Sequence, residues 1–134
     1  MELKYEIAHS ISFEEFYKKR NRKFALKPIV RKAYNEILKS MPSNEWIVRY
    51  KFYDAYIERD NNGTVDTLEY QQYNGILDLP DCYFLHRFGE NGLKINKTEF
   101  VFGDVKEFPF FISRVIDQGT PSQLIFPKEA DSDQ

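Results

Sequence analysis

One cysteine, two histidines and six scattered glycines leave this 134-residue chain little with which to build the common chemical sites. Cys82 alone closes no disulfide within the chain, and nothing argues for secretion. His9, Cys82 and His86 follow no recognised zinc spacing, and no glycine-rich loop is present to cradle a phosphate. Ser and His are too sparse to suggest a nucleophilic triad. No cofactor and no resident metal are expected on these grounds. No apolar run approaches the roughly 20 residues that a membrane helix needs, and the first six residues lack the apolar core of a signal peptide. The expectation is a cytoplasmic protein with no membrane partner.

Aromatic residues, by contrast, are abundant, with 12 Phe, 9 Tyr and 1 Trp. They give a small core a large buried area per residue and favour strands. Net charge is −2 but unevenly spread, because residues 1–53 carry 12 Lys/Arg against 6 Asp/Glu while residues 54–134 carry 7 against 15. A molecule polarised in this way can offer two faces to oppositely charged partners.

Residues 4–9 alternate weakly, as a short first strand would. Ser12-Phe13-Glu14-Glu15 forms a capping box, with Ile11 and Phe16 placed as a hydrophobic staple. Phe13, Phe16, Tyr17 and Phe24 then share one helical face, so a helix starts at Phe13. Pro28 suits the first turn of a second helix, whose apolar stripe runs through Val30, Ala33, Tyr34, Ile37, Leu38 and Met41. Pro42-Ser43-Asn44 stops it.

After Asn44 the period becomes two. Trp46, Val48, Tyr50 and Phe52 mark one face of a strand, and the change of phase near Asp54 predicts a bulge or bend. Asp60-Asn61-Asn62-Gly63 reads as a hairpin turn, returning through residues 64–73. Asn74-Gly75 reads as a further turn, followed by strand-like runs at 76–79, 83–88 and 93–102. Asp104 caps a last helix that carries Phe108, Phe111, Ile112, Val115 and Ile116 and stops at Gly119.

The resulting fold class is α+β, with two N-terminal helices, an antiparallel sheet of about four or five strands and a C-terminal helix. Residues 1–127 read as a single globular domain and residues 128–134 as a polar, disordered tail.

Four constellations are candidates for function. Asp54, Glu58, Asp60, Asp66 and Glu69 surround one hairpin, and such a negative surface suits a basic partner protein such as a toxin or nuclease. Lys18, Lys19, Arg20, Arg22, Lys23, Lys27, Arg31 and Lys32 place eight positive charges in fifteen positions with no acid among them, enough to neutralise several phosphates. Lys18, Lys19 and Arg22 nevertheless fall opposite the Phe13–Phe16–Tyr17 stripe, where a solvated face belongs. Asp78, Asp81, Cys82, His86, Arg87 and Glu90 bring a thiol and an imidazole close in sequence. On a strand, Cys82 and His86 stand about 13 Å apart and form no dyad. Finally, a helix-plus-sheet cone would line an internal pocket with Tyr50, Tyr70, His86 or Arg87.

Leu79-Pro80-Asp81-Cys82-Tyr83-Phe84-Leu85-His86-Arg87-Phe88-Gly89-Glu90-Asn91-Gly92 resembles a stretch of the SUKH immunity proteins, and Phe108-Pro109-Phe110-Phe111-Ile112 resembles their late helix. The first stretch falls later in the chain than in that family, and the second glycine after Asn91-Gly92 is missing. The resemblance implies a toxin-neutralising binding protein. Together with the poverty in His and Cys, it makes a non-enzymatic protein-binding module of the immunity or inhibitor kind the leading expectation. A nucleic-acid-binding domain built on residues 18–32 is the first alternative. A small-ligand cone, with catalysis as an option, is the second.

Overall fold

A computed structural model describes residues 2–20, 26–41, 44–87 and 91–119, with the backbone alone for Lys19, Arg20, Gln118 and Gly119. The class is α+β, as expected. Strand β1 (Tyr5–Ser10) leads into helices α1 (Phe13–Arg20) and α2 (Lys27–Lys39). Strands β2 (Ile47–Phe52), β3 (Ile57–Asn61) and β4 (Thr64–Leu68) follow as a meander. Then come β5 (Gly75–Asp78), β6 (Cys82–His86), β7 (Leu93–Asn96) and β8 (Phe100–Phe102), and finally helix α3 (Phe108–Gly119).

The strands form two antiparallel sheets. The first has five strands in the order β4-β3-β2-β1-β8, and the second has three in the order β5-β6-β7. The first has the expected number of strands; the runs expected at 76–79 and 83–88 fall instead in the second. The bulge or bend expected near Asp54 is a full chain reversal. Phe52 pairs with Ile57, and the Tyr53 N–H donates to the Tyr56 carbonyl at 3.0 Å, so one anticipated strand becomes the β2–β3 hairpin. Asn74-Gly75 is likewise not a turn: Gly75 begins β5, and the Asn74 N–H bonds the His86 carbonyl across the sheet. The long return strand also ends early, at Leu68, before a 3-10 turn at Tyr70–Gln72.

Local chemistry explains several boundaries. The Ser12 hydroxyl accepts from the Glu15 N–H at 3.1 Å, capping α1. Pro28 sits in the first turn of α2, where its missing N–H costs nothing. Asn62 and Gly63 take φ of 53° and 96°, the paired positive values that a two-residue hairpin demands. Asp104 caps a 3-10 turn (Val105–Glu107) that runs directly into α3, so Pro109 falls in that helix's first turn. Gly103, just before, has φ of 99°, and a Cβ there would collide with the Tyr5 ring and the Lys4 carbonyl.

Two apolar clusters lie on one face of the five-stranded sheet. The larger gathers Tyr5, Ile7, Phe52, Ile57 and Leu68 from that sheet against Ile76, Tyr83, Leu85 and Ile95 of the second sheet and one face of α3. Phe108 is fully buried at its centre, with ring centroids 5.1 Å from Tyr5, Phe52 and Phe100 and 5.4 Å from Tyr83. The smaller packs Phe13 and Phe16 of α1 on Val30 and Tyr34 of α2, with Ile11 and Trp46 alongside. Among the described residues no helix is long and apolar enough to cross a membrane. The 128–134 tail, together with Phe24, Pro42 and Ser43, lies outside the described residues.

Candidate functional site

Because helices and second sheet gather on one side, the other side of the five-stranded sheet is left open among the described residues. Alternation assigns to it Glu6, Ala8 and Ser10 of β1, Ile47, Arg49 and Lys51 of β2, Glu58 and Asp60 of β3, and Val65 and Thr67 of β4. None of these side chains is buried. Register then sets their order. Glu6, Lys51, Glu58 and Thr67 lie across the sheet in one row, and Ala8, Arg49, Asp60 and Val65 in the next. A positive stripe on β2 therefore runs beside a negative stripe on β3. Arg49 also reaches Glu6 at 3.4 Å.

The five acidic residues expected to act together separate under this register. Only Glu58 and Asp60 share the open face, and Asp60 also accepts the Gly63 N–H at 2.7 Å. Asp66 points to the opposite face. Asp54 sits on the β2–β3 turn, 3.6 Å from Arg114 and 4.0 Å from Lys4. Glu69 caps the 3-10 turn at Tyr70–Gln72, where its own N–H bonds the Gln72 side chain. A hairpin brings residues close in sequence onto two faces, which a charge count along the chain does not distinguish.

The basic segment is partly spent on its own helices. The Arg31 guanidinium lies 3.9 Å from the Phe13 ring centroid, and Lys27 pairs with Glu14 at 3.8 Å beside Tyr17. Lys18 and Lys32 are exposed. Arg22 and Lys23 lie outside the described residues, as does the Lys19 side chain.

The Cys82–His86 segment is a strand, so the two side chains stand apart as the spacing implied. Cys82 is buried, and His86 Nδ1 lies 2.7 Å from Asn74 Oδ1. Glu90 lies outside the described residues. Asp78 accepts from Lys97 at 2.6 Å, tying β5 to the turn after β7. Tyr70 and Tyr83 donate to the carbonyls of Tyr53 and Val105. Burial raises both phenols, that of Tyr83 to about 12. Of the residues expected to line a pocket, Arg87 lies over the Tyr73 ring, 5.5 Å from its centroid, Tyr50 stands on β2 beside Arg59, and Tyr70 and His86 serve elsewhere. An open depression of about 420 Å³ lies at the start of α3, bordered by Lys4, Tyr5, Glu107, Phe110 and Arg114, and none of those four expected residues borders it.

Between the two apolar clusters the covered face carries polar groups that no local motif announced. Tyr50, Arg59 and Asp66 stand in register across β2, β3 and β4. Arg59 grips Asp66 with two hydrogen bonds, of 3.0 and 2.5 Å, and so holds the Asp66 carboxyl below its ordinary range. Burial raises the Tyr50 phenol, with Arg59 acting against it. On β1, His9 Nε2 lies 2.8 Å from Glu15 Oε1, and His9 Nδ1 lies 3.0 Å from both Glu99 oxygens. Asn96 donates to the same Glu99 carboxylate at 3.0 Å. Burial of the ring disfavours its charge, but hydrogen bonds to Glu99 and Glu15 outweigh that and raise the imidazole above 6.5. The two carboxylates approach opposite ring nitrogens and do not converge on one point as metal ligands must. The described residues hold no group of three His, Cys, Asp or Glu suited to a metal ion.

The faint signal for this site was His9 itself, an ionisable residue in phase with Tyr5 and Ile7 on a face that should be apolar. Compared with known proteins, the chain matches no family model, no curated protein and no solved structure.

Proposed function

We propose that the chain is a protein-binding module of the immunity or inhibitor kind, acting in the cytoplasm and docking its partner on the open face of the five-stranded sheet. The observation that carries this reading is the pair of adjacent charged stripes there, Arg49 and Lys51 beside Glu58 and Asp60, with Ala8, Ile47 and Val65 between and beyond them. Fixed on neighbouring strands, such charges select a partner surface of matching pattern and set its register. Glu58 and Asp60 are the part of the acidic hairpin available to a basic partner such as a toxin or nuclease. The side chains best suited to catalysis favour the same reading, because His9, His86, Tyr70 and Tyr83 are engaged in internal hydrogen bonds and Cys82 is buried.

Affinity capture from the source lysate, with the double reversal Glu58→Lys/Asp60→Lys run beside the wild type, tests it. One nuclease-resistant partner in near-equal amount is expected. Its affinity should fall at least about tenfold in the reversed variant, equivalent to about 1.4 kcal/mol. A partner that the reversal leaves bound, or that nuclease treatment removes while Lys18→Glu/Lys32→Glu abolishes capture, would overturn it.

A further inference from the structure

His9 is where the helical layer is fastened to the sheet. It is the last covered-face residue of β1; Glu15 approaches from α1, and Glu99 from the 3-10 turn that precedes β8. Both ring nitrogens face carboxylate oxygens at hydrogen-bonding distance. A doubly protonated imidazole donates to both. A neutral one carries a single N–H, and its second nitrogen then sets a lone pair against an oxygen. We propose that protonation of His9 is a latch that controls whether α1 and α2 stay docked on the sheet.

A neutral ring donates to only one of the two carboxylates. Glu99 belongs to the turn before β8 and also accepts from Asn96, and Glu15 is carried by α1 itself. Release on that side lifts α1, and with it α2, which is joined to α1 through Phe13, Phe16 and Tyr34. The aromatic cluster around Trp46 is then uncovered.

The groups around the ring agree in sign. From α1 comes Glu15, and from the turn after β7 comes Glu99. From β2 the register neighbour is Val48, with the Tyr50 phenol one step further along the same face. That phenol is raised by burial and is neutral through the range concerned. Hydrogen bonds to Glu99 and Glu15 outweigh the cost of burial and hold His9 above 6.5. Folding therefore favours the charged ring. The contribution is complete below the unfolded value near 6.5 and is lost as pH rises through the higher folded value. The docking equilibrium weakens tenfold for each unit separating the two.

Two features make this measurable in the intact chain. The protein has only two histidines, so the imidazole resonances of His9 and His86 can be followed separately by NMR. Its one tryptophan, Trp46, packs 5.7 Å from Phe16 and 6.4 Å from Tyr34, so its emission reports on the helical layer. His9 should titrate above 6.5, and Trp46 emission should move to the red with the same midpoint. In His9→Asn that transition should vanish. Should His9→Asn not fold, Glu15→Gln provides the second test, because the midpoint must move down when one of the two carboxylates is neutralised. A His9 that titrates at or below 6.5, a Trp46 signal that ignores pH, a transition that survives in His9→Asn, or a midpoint unmoved by Glu15→Gln would each overturn the proposal.

Discussion

Phe108 and Tyr34 stand at the centres of two aromatic clusters that use similar chemistry and are supported differently. Around Phe108 the rings come from β1, β2, β6 and β8, and α3 closes the remaining side, so that Phe108, Ile112 and Ile116 have no exposure. Around Tyr34 the rings come from α1 and from Trp46, just before β2, and Leu26 and Ile29 at the start of α2 are exposed. The first cluster is held by area removed from water. The second leans on directed polar ties: the Tyr34 hydroxyl to the Ile11 carbonyl at 2.7 Å, Trp46 Nε1 to Asn61 at 2.8 Å, and the His9 contacts. Far fewer buried side chains make the helical layer the part that opens first.

Three substitutions sharpen that contrast. Phe108→Ala removes the ring that both sheets and α3 share and should cost about 3–5 kcal/mol, lowering the melting temperature of every probe together. Loss confined to one spectroscopic signal would mean that the large core is not one cooperative unit. Phe16→Ala should act more locally. Its cost to the layer is about 3 kcal/mol, yet hydrogen-exchange protection in β5, β6 and α3 should persist while Trp46 emission moves to the red. Uniform loss of protection across the chain would contradict the separation of the two clusters. Asp66→Asn should do least, under about 1 kcal/mol, because both members of the Arg59 pair are well exposed. Its sign is set by pH. The depressed Asp66 carboxyl stabilises the fold above its ordinary value near 3.8, and this is lost as pH falls through the lower folded value. Acid unfolding of the variant should therefore be slightly less steep than that of the wild type.

Most local structure was legible because it is specified locally. Ser12 marks the start of α1, Pro28 the first turn of α2, Asp104 the approach to α3, and Asn62-Gly63 a hairpin whose φ angles only a few residues adopt readily. The reversal at Tyr53–Tyr56 escaped because an aromatic-rich turn carries no Gly or Pro signal, and its change of phase imitates a bulge. The second sheet escaped because periodicity says that a segment is a strand but not which strand lies beside it. The acidic group dissolved for the same reason. Glu58 and Asp66 are alike along the chain, yet the pairing of Arg59 with Asp66 sends one to the open face and the other to the covered one. His9 and Glu99 are 90 positions apart, and no spacing rule links them.

The placement of β8 against β1 has a consequence in time. Residues 5–68 can form a four-stranded sheet in which only the β1–β2 pairing spans the two helices, and α1, α2 and Trp46 can assemble early within it. The Tyr5, Ile7, Phe52, Ile57 and Leu68 surface then waits for a helix that begins forty residues later, at Phe108. Returning β8 and α3 to β1 closes the longer loop, since Ile7 pairs with Phe100 whereas Ser10 pairs with Ile47, and is the slower step. We therefore expect a refolding intermediate in which β1–β4 amides gain protection before those of α3, readable by pulsed hydrogen exchange; simultaneous protection of both would refute it. During that interval the greasy side of the sheet is the chain's most vulnerable surface, and the last helix to arrive acts as its built-in chaperone.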